Sequence, residues 1–180
     1  MDWNSMLESV QHFFDQTGTR DQFQVLAEVA FAMFLGGLIG IERELADKPA
    51  GFRTHMLIAG SAALLVGLGD ALLQTFILST PQTADAGIRT DPIRIVEAIV
   101  TGISFLGAGT IFRRSEGDVK GLTTAASILL SAAIGISVAL QQFWLASGVT
   151  LLALLVLRGF KFIERWISRR TTGESPAAPS

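Results

Sequence analysis

Long apolar runs are the feature of this 180-residue sequence that most restricts its fold. Because the hydrocarbon core of a bilayer is about 30 Å thick, a spanning helix needs about 20 mainly apolar residues. A water-soluble domain of this size would have too little polar sequence to cover several such runs. The sequence therefore predicts an all-α integral membrane protein with five transmembrane helices, at Val25–Ile41, Met56–Leu78, Ile95–Phe112, Leu122–Leu140 and Phe143–Ile167.

Basic residues predict the orientation of these helices, because Lys and Arg collect on the cytoplasmic side of a membrane. Only Arg20, Arg89 and Arg94 lie on the side that carries the N-terminus. The pattern therefore predicts an N-terminus outside the cell and a C-terminus in the cytoplasm. The other eleven lie after the first and third runs or end the fifth: Arg43, Lys48, Arg53, Arg113, Arg114, Lys120, Arg158, Lys161, Arg165, Arg169 and Arg170.

The two ends of the chain differ from the apolar middle. Residues 1–20 are amphipathic and predict a segment that lies on the outer membrane surface or against the bundle. Residues 21–167 form the predicted transmembrane domain, and residues 168–180, which contain Gly, Ser and two prolines, predict a disordered cytoplasmic tail. The start of the sequence lacks the basic and apolar regions of a cleaved signal peptide.

Composition excludes several classes of chemistry. The chain contains no cysteine, so disulfides, thiolate catalysis and Cys-ligated zinc are not available. Its formal net charge of −2 gives no reason to expect a nucleic-acid partner.

An internal repeat relates the first pair of runs to the second pair. Phe34-Leu35-Gly36 matches Phe105-Leu106-Gly107 at an offset of 71, and Ser61-Ala62-Ala63 matches Ser131-Ala132-Ala133 after a one-residue slip. Both segments run from outside to inside and back, so they predict parallel repeats about an axis along the membrane normal. The fifth helix stands apart. The repeat also predicts that the second span ends near Asp70, with Leu72–Leu78 as an outer extension of its helix. It further predicts that the two cytoplasmic turns lie close together.

These turns and the runs beside them carry recognisable motifs. Through these motifs, which occur in the same order along the chain, the sequence resembles the membrane domain of the MgtC/SapB family of bacterial inner-membrane proteins, over about residues 25–140. Ser104 and Ala98 depart from it, since many members have glycine and glutamine at or near these positions. The matching residues are Leu38–Glu44, Lys48–Leu57, Asp91-Pro92 with Arg94, Phe105–Ile111 and Gly121–Ser127.

The resemblance implies a role in growth at low Mg²⁺ and, in pathogens, in survival inside macrophages. It also implies a non-enzymatic regulator that acts through a membrane partner such as the F-type ATP synthase. Longer members carry a soluble ACT-like C-terminal domain, and this sequence ends after the fifth run. The resemblance therefore implies a short form that consists of the membrane domain.

The cytoplasmic turns are the predicted binding site. Two helix N-termini brought together with arginines would bind an anion, such as a phosphate-bearing ligand or a lipid headgroup. Simple helix capping by the threonines is the alternative interpretation. The residues of this predicted anion site are Arg53, Thr54, Arg113, Arg114, Thr123 and Thr124.

The charged residues at the end of the first run allow three interpretations. The first is a solvated helix end formed by Glu42, Arg43 and Glu44. The second is a buried ion-pair network of these residues with Arg53, which would hold the two repeated pairs of helices together. A magnesium site is the third, because Mg²⁺ binds one or two carboxylates and water; the nearby basic residues oppose it. The weak metal candidates are Glu42, Glu44, Asp47 and Asp118, and no other cofactor is predicted.

The titratable residues within the runs each have a structural interpretation, which takes precedence over any functional alternative. His55 lies one residue inside the second run and is expected to be a hydrogen-bonded structural histidine. Glu28 and Glu97 lie about one turn inside the outer ends of the first and third runs. There each carboxylate can reach the membrane interface or form an ion pair, which for Glu97 would be with Arg94; a proton or cation relay is the functional alternative. The glycine stripes predict close helix packing or, on one face, a homodimer: Gly36, Gly37, Gly40, Gly102, Gly107 and Gly109.

Two classes of function are compatible with these features. The first is the non-enzymatic regulatory or binding protein of Mg²⁺ or envelope homeostasis that the resemblance implies. The alternative is a small transporter or channel for Mg²⁺, H⁺ or phosphate that works as a homo-oligomer. An intramembrane enzyme would need a nucleophile and a base in one motif, and the sequence shows none.

Overall fold

The computed structural model describes residues 19–79, 93–113 and 119–171, which form five helices and one short strand pair. Strands β1 (Phe112–Arg113) and β2 (Val119–Lys120) pair antiparallel between the third and fourth helices. We call the end of the bundle with this strand pair and the turn after the first helix the turn end. The helices are α1 (Thr19–Leu45), α2 (Phe52–Ser79), α3 (Ile93–Ala108), α4 (Leu122–Ala139) and α5 (Phe143–Thr171).

Three of the described helices are long and apolar enough to cross a membrane: Gln22–Leu45, Phe52–Leu72 and Leu122–Ala139. In α5 the apolar segment among the residues with described side chains is Phe143–Gly159, and α3 has 16 residues. At a rise of 1.5 Å per residue, α3 is about 24 Å long. The prediction of a helical membrane protein is confirmed, and the count of five spans stays a prediction.

Large apolar side chains point away from the bundle on every helix. Trp144 on α5 is 93% exposed and Phe105 on α3 is 84% exposed, and leucines on α1, α2 and α4 are also exposed. A water-soluble protein of this size rarely presents such continuous apolar surface. The surface is suited to lipid.

Helix α4 lies at the centre of the bundle. Its Ile134 and Val138 pack with Leu35 and Ile39 of α1 in one apolar cluster. Its Ile128 and Ile136 pack with residues of α2 and α3 in a second cluster. Buried alanines of α2 complete both clusters, so the backbones of α2 and α4 approach each other closely, as small residues allow in membrane bundles.

The closest approach of α2 and α4 is at Gly135. A Cβ atom there would overlap the carbonyl oxygen of Ala59, which is backbone and cannot rotate away. Gly135→Ala is therefore expected to destabilise the protein by about 1–3 kcal/mol. Gly148→Ala on α5 is the control, because a Cβ atom at Gly148 meets nothing within 4 Å. Unfolding in detergent measures both, and equal effects would contradict the close packing.

One predicted helix end is wrong, and one span end stays a prediction. Helix α2 continues to Ser79, because Ala71, Leu72 and Leu73 are strong helix formers, and this agrees with a span that ends near Asp70 and an outer extension over Leu72–Leu78. The third helix ends at Ala108, and Phe112, which the prediction placed in the span, begins β1. Glycines on both sides of Ala108 favour a helix end there, where the Thr110 hydroxyl donates a hydrogen bond of 2.7 Å to the Gly107 carbonyl oxygen.

The predicted terminal segments lie mostly outside the described residues. Of the amphipathic segment 1–20, only Thr19 and Arg20 are described, and they begin α1. Helix α5 continues to Thr171, so it includes the first four residues of the predicted tail. Residues 172–180 are outside the described part of the chain.

Candidate functional site

The centre of the turn end is a buried ion pair between two neighbouring residues of α1. Glu42 is 5% exposed and Arg43 is 2% exposed. The Arg43 Nε atom donates a hydrogen bond of 2.6 Å to Glu42 Oε2, and the guanidinium also forms a salt bridge with this oxygen. The charges compensate each other away from water, so removing either partner would leave a buried charge.

Glu44 connects the end of α1 to the start of α2. Its carboxylate oxygen accepts a hydrogen bond of 2.8 Å from the backbone N–H of Phe52, the first residue of α2. A carboxylate at this position satisfies a free N–H group and interacts favourably with the helix dipole. Gly51 leaves room for it, because a Cβ atom at Gly51 would lie 2.8 Å from this carboxylate.

Loss of this cap has a measurable cost. Glu44→Ala is expected to destabilise the protein by about 1 kcal/mol, because the N–H of Phe52 loses its acceptor. Glu44→Gln should lose less, since the amide oxygen can still accept. Lys48→Ala, an exposed change in the same turn, should stay within about 0.5 kcal/mol of wild type. Unfolding curves in detergent measure the series, and a Glu44→Ala protein as stable as Lys48→Ala would contradict the cap.

His55 joins α2 to α4 across the bundle and is fully buried. Its Nδ1 lies 2.9 Å from the Gly51 carbonyl oxygen, and its Nε2 lies 3.0 Å from the Ser127 hydroxyl. Because a carbonyl oxygen only accepts, Nδ1–H is the donor, and in the neutral ring Nε2 accepts from Ser127. The Ser127 hydroxyl has the Thr124 carbonyl oxygen, 2.8 Å away, as its alternative acceptor.

We refer to Glu42, Arg43, Glu44, His55 and Ser127 together as the turn cluster. Arg43 lies close enough to His55 for the two side chains to interact electrostatically. Among the described residues, no buried side-chain nitrogen or oxygen lacks a hydrogen-bond partner. The turn cluster is therefore a hydrogen-bonded polar cluster in which α1, α2 and α4 meet.

The structure changes the predicted ion-pair network in one respect. Arg53 is exposed, and within the described part of the chain it forms no ion pair with Glu42 or Glu44. Glu44 bonds to the backbone of Phe52 instead. Sequence reasoning selected His55 but not Ser127 as its partner; the serine's only sequence signal was its place in the motif that opens α4.

The residues of the predicted anion site are only partly brought together. Arg53 and Thr123 are exposed, Thr54 is half-buried and Thr124 is 2% exposed. Gly121, with a φ angle of 95°, precedes α4 and provides no side-chain cap for its first N–H groups. Arg113 lies in β1, and Arg114 is outside the described residues. Since His55 contacts Ser127, the N-terminal turns of α2 and α4 are neighbours.

Of the weak metal candidates, the structure describes Glu42, Glu44 and Asp47, and these three are not assembled into a metal site. Among the described residues, no three His, Asp or Glu side chains are grouped as metal ligands would be. Glu42 pairs with Arg43 and Glu44 caps α2. Asp47 is exposed and has a left-handed φ angle of 54°, at the turn where α1 ends. Asp118 lies outside the described residues.

Arg94 and Glu97 lie on α3, away from the turn end. Both are exposed, and in the described ranges no ion pair joins them. Of the two structural explanations that the sequence offered, an exposed position at the interface and an ion pair, the structure agrees with the first. The carbonyl oxygen of Glu97 accepts a hydrogen bond of 2.7 Å from Thr101.

A cavity of about 700 Å³ lies at the opposite end of the bundle, between α1, α2, α3 and the end of α4. Gln24, Glu28, Asp70 and Gln141 are its polar lining residues, and the rest of the wall is apolar. Glu28 is only 8% exposed and accepts a hydrogen bond of 3.0 Å from Gln24. Sequence reasoning expected Glu28 near the interface and did not predict the cavity. The four-residue spacing of Gln24 and Glu28 was its available signal.

A helical bundle with an apolar surface and a buried polar cluster at one end defines a polytopic membrane protein. Comparison with known families then identifies the group: the model of the MgtC family matches residues 29–166. The chain belongs to the MgtC family, in agreement with the resemblance found in the sequence.

The chain is also similar to curated relatives. It is 34% identical to an uncharacterized protein of Haemophilus influenzae over 84% of this chain and 61% of the relative. It is 37% identical to the "Putative magnesium transporter YhiD" of Escherichia coli K12, over 76% of this chain and 60% of the relative. It is 40% identical to Protein MgtC of Salmonella typhimurium LT2, over 73% and 50%.

The chain thus spans between half and about three-fifths of the length of these relatives. No solved structure matches it significantly.

Proposed function

We propose that this protein is a non-enzymatic regulatory or binding protein of the bacterial inner membrane that serves Mg²⁺ or envelope homeostasis. Family membership supports the magnesium connection, since one relative's name refers to magnesium transport. The turn cluster supports a binding role, because the hydrogen bond between His55 and Ser127 holds the N-terminal turns of α2 and α4 side by side. A membrane partner such as the F-type ATP synthase, and the link to virulence, rest on the family resemblance alone.

The proposed topology has five spans, with the N-terminus outside and the turn end in the cytoplasm. The distribution of basic residues supports this orientation. Helix α3 is shorter than the hydrocarbon core of a bilayer is thick. In this topology the turn that follows α3 would therefore lie within the membrane and complete the crossing. A reporter fused after residue 180 tests the topology, and activity of a periplasmic reporter there would contradict it.

The proposed internal repeat is supported by matching contacts. A Cβ atom at Gly36 of α1 would approach the backbone of His55, and a Cβ atom at Gly107 of α3 would contact Ala125. Gly107 is the counterpart of Gly36, and Ala125 is the counterpart of His55. Two helix pairs with equivalent contacts at equivalent positions are what parallel repeats require.

One observation carries the proposed binding site: the start of α2 is capped, and the start of α4 is not. Glu44 occupies the N-terminus of α2, so an anion would be repelled there. Helix α4 begins after Gly121 without a side-chain cap, and its first N–H groups carry the positive end of a helix dipole. We place the phosphate-bearing ligand at α4, with Thr123 at the helix start and Arg53 on the neighbouring helix.

Thermal unfolding in detergent tests this site, with inorganic phosphate and phosphatidylglycerol micelles as probes and chloride as the reference. A ligand at about 100 times its Kd adds about 2.7 kcal/mol of stability. Arg53→Ala should abolish the shift. Arg94→Ala removes another exposed arginine, away from this site, and should retain it. Equal loss in both variants, or no shift with any phosphate compound, would end the proposal of an anion site.

A small magnesium transporter is the second candidate function. The cavity at the opposite end favours it, because a buried carboxylate with space for water suits Mg²⁺. Mg²⁺ flux into proteoliposomes tests this function. Flux that Glu28→Gln abolishes and Asp47→Asn leaves intact would replace the regulatory proposal, whereas an impermeable wild type would exclude transport of this ion.

A further inference from the structure

The outward face of α3 has an unusual composition for a helix in lipid. Ile99 and Gly107 are the buried residues of α3, and they face the core. Five exposed residues follow one another on the opposite face with alternating spacings of three and four residues: Arg94, Glu97, Thr101, Ser104 and Ala108. We call this face the α3 seam. Spacings of three and four keep residues on the contact line of two helices that cross at a small angle.

Small residues elsewhere on α3 are also without a neighbour within the chain. The glycines of α1 are occupied within the chain, because Cβ atoms at Gly36 and Gly40 would press on α2. Gly107 is likewise in contact with Ala125 of α4. A Cβ atom at Gly102 meets nothing within 4 Å, and Ala98, one turn away, is exposed. Of the glycines in these stripes, Gly102 is therefore one that still has open space beside it.

Charge is the feature that distinguishes the α3 seam from the remaining apolar surface. Within the described residues, the charged groups of Arg94 and Glu97 form no ion pair. A charged group facing lipid is unfavourable, and polar residues in spans normally face other protein. The exposed face of α5 carries Trp144, Leu151 and Leu155, which lipid covers without cost. The α3 seam, by contrast, presents one positive and one negative charge within its first two turns, and a partner with complementary charges would neutralise both.

We propose that a second copy of this chain covers the α3 seam, so that the two α3 helices pack side by side and parallel about a twofold axis. In this arrangement Arg94 faces the partner subunit's Glu97, and the same ion pair occurs twice. Thr101, Ser104 and Ala108 allow the helices to approach closely along the rest of the seam. The proposal rests on the proposed membrane placement of α3.

Cysteine cross-linking tests the geometry, and the natural absence of cysteine makes wild type the background. Thr101→Cys and Ser104→Cys should form disulfide-linked dimers on oxidation in native membranes. Ile103→Cys, on the inward side of α3, and Leu151→Cys, on the exposed face of α5, are the controls. Dimers that form equally through Leu151→Cys, or a different protein cross-linked at Thr101→Cys, would overturn the proposal.

A charge swap tests the ion pairs. Arg94→Glu and Glu97→Arg should each weaken dimerisation in liposomes by about tenfold or more, since each places like charges together. The double variant Arg94→Glu/Glu97→Arg should restore it, because the two charges are only exchanged. A double variant as weak as either single one, or a wild type that is monomeric by single-molecule photobleaching, would overturn the dimer.

Two further measurements separate the causes of failure. An unchanged melting temperature shows that a variant is folded, which limits its effect to association. Extraction of the protein from membranes with alkaline carbonate would show that the membrane placement itself is wrong.

Discussion

Arg43→Ala is expected to destabilise the folded protein by about 3–5 kcal/mol, the largest effect of any single change considered. The guanidinium is 2% exposed and bonds to Glu42. Without it, the Glu42 carboxylate is left as an uncompensated charge in a site that water does not reach. Either the end of α1 must rearrange to expose this carboxylate, or the carboxylate must take up a proton. Unfolding in mixed detergent with increasing dodecyl sulfate measures the free energy.

Two control variants show whether the effect is due to the buried charge. Arg53→Ala removes an exposed arginine near the start of α2 and should change stability by no more than about 0.5 kcal/mol. The double variant Glu42→Gln/Arg43→Met removes both charges and should be more stable than Arg43→Ala alone. If Arg53→Ala costs as much as Arg43→Ala, or the double variant is the less stable, the buried pair does not hold the turn.

His55→Ala is the second large effect, at an expected loss of about 2–4 kcal/mol. The ring is fully buried, so its removal leaves a cavity between α2 and α4. The hydrogen bond to Ser127 that joins the two helices is lost as well. The hydrogen-bond part of the loss is modest, because the Ser127 hydroxyl retains the Thr124 carbonyl oxygen as an acceptor.

A double-mutant cycle isolates that hydrogen bond. Ser127→Ala alone should cost about 1 kcal/mol, the net contribution of a typical hydrogen bond. In the His55→Ala background the same change should cost clearly less, because its partner is already missing. Strictly additive losses would show that the side chains of His55 and Ser127 do not interact in the folded protein.

The family comparison leaves the proposed function dependent on this chain's own residues. The relatives are up to twice as long as the part that matches, so their activities do not transfer as a whole. The matched region contains the turn cluster and α4. An effect of Arg53→Ala on ligand binding, without the stability loss of Arg43→Ala, would separate the binding role of the turn end from its structural role.

The spans were the most predictable part of the fold. The predicted starts at Leu122 and Phe143 agree with the helix starts in the structure. Apolarity is a local property that can be summed along the chain, and a bilayer imposes one length on every span. Helix ends depend on weaker local signals, and the predicted end at Phe112 lies four residues beyond Ala108, where α3 ends.

The site was predictable by residue type but not by partner. Glu42, Arg43, Glu44 and His55 stood out because charged and titratable groups are costly near a membrane interior. Their spacing indicated Arg53 as the common partner, whereas the structure pairs Glu44 with a backbone N–H and His55 with a serine 72 residues away. His55 and Ser127 come into contact only when α2 packs against α4, and a local pattern in the sequence does not indicate that packing.

The sequence by itself therefore determined that this protein resides in a membrane, where its helices approximately lie and which residues have unusual chemistry, because these follow from composition and order along one chain. Only the tertiary structure decided which glycines pack against a neighbouring helix, which helix N-terminus is capped and which face of α3 remains uncovered. These depend on the rotation of each helix about its own axis. That rotation is set by contacts at Ala59, Gly135 and other close approaches between helices distant in the chain.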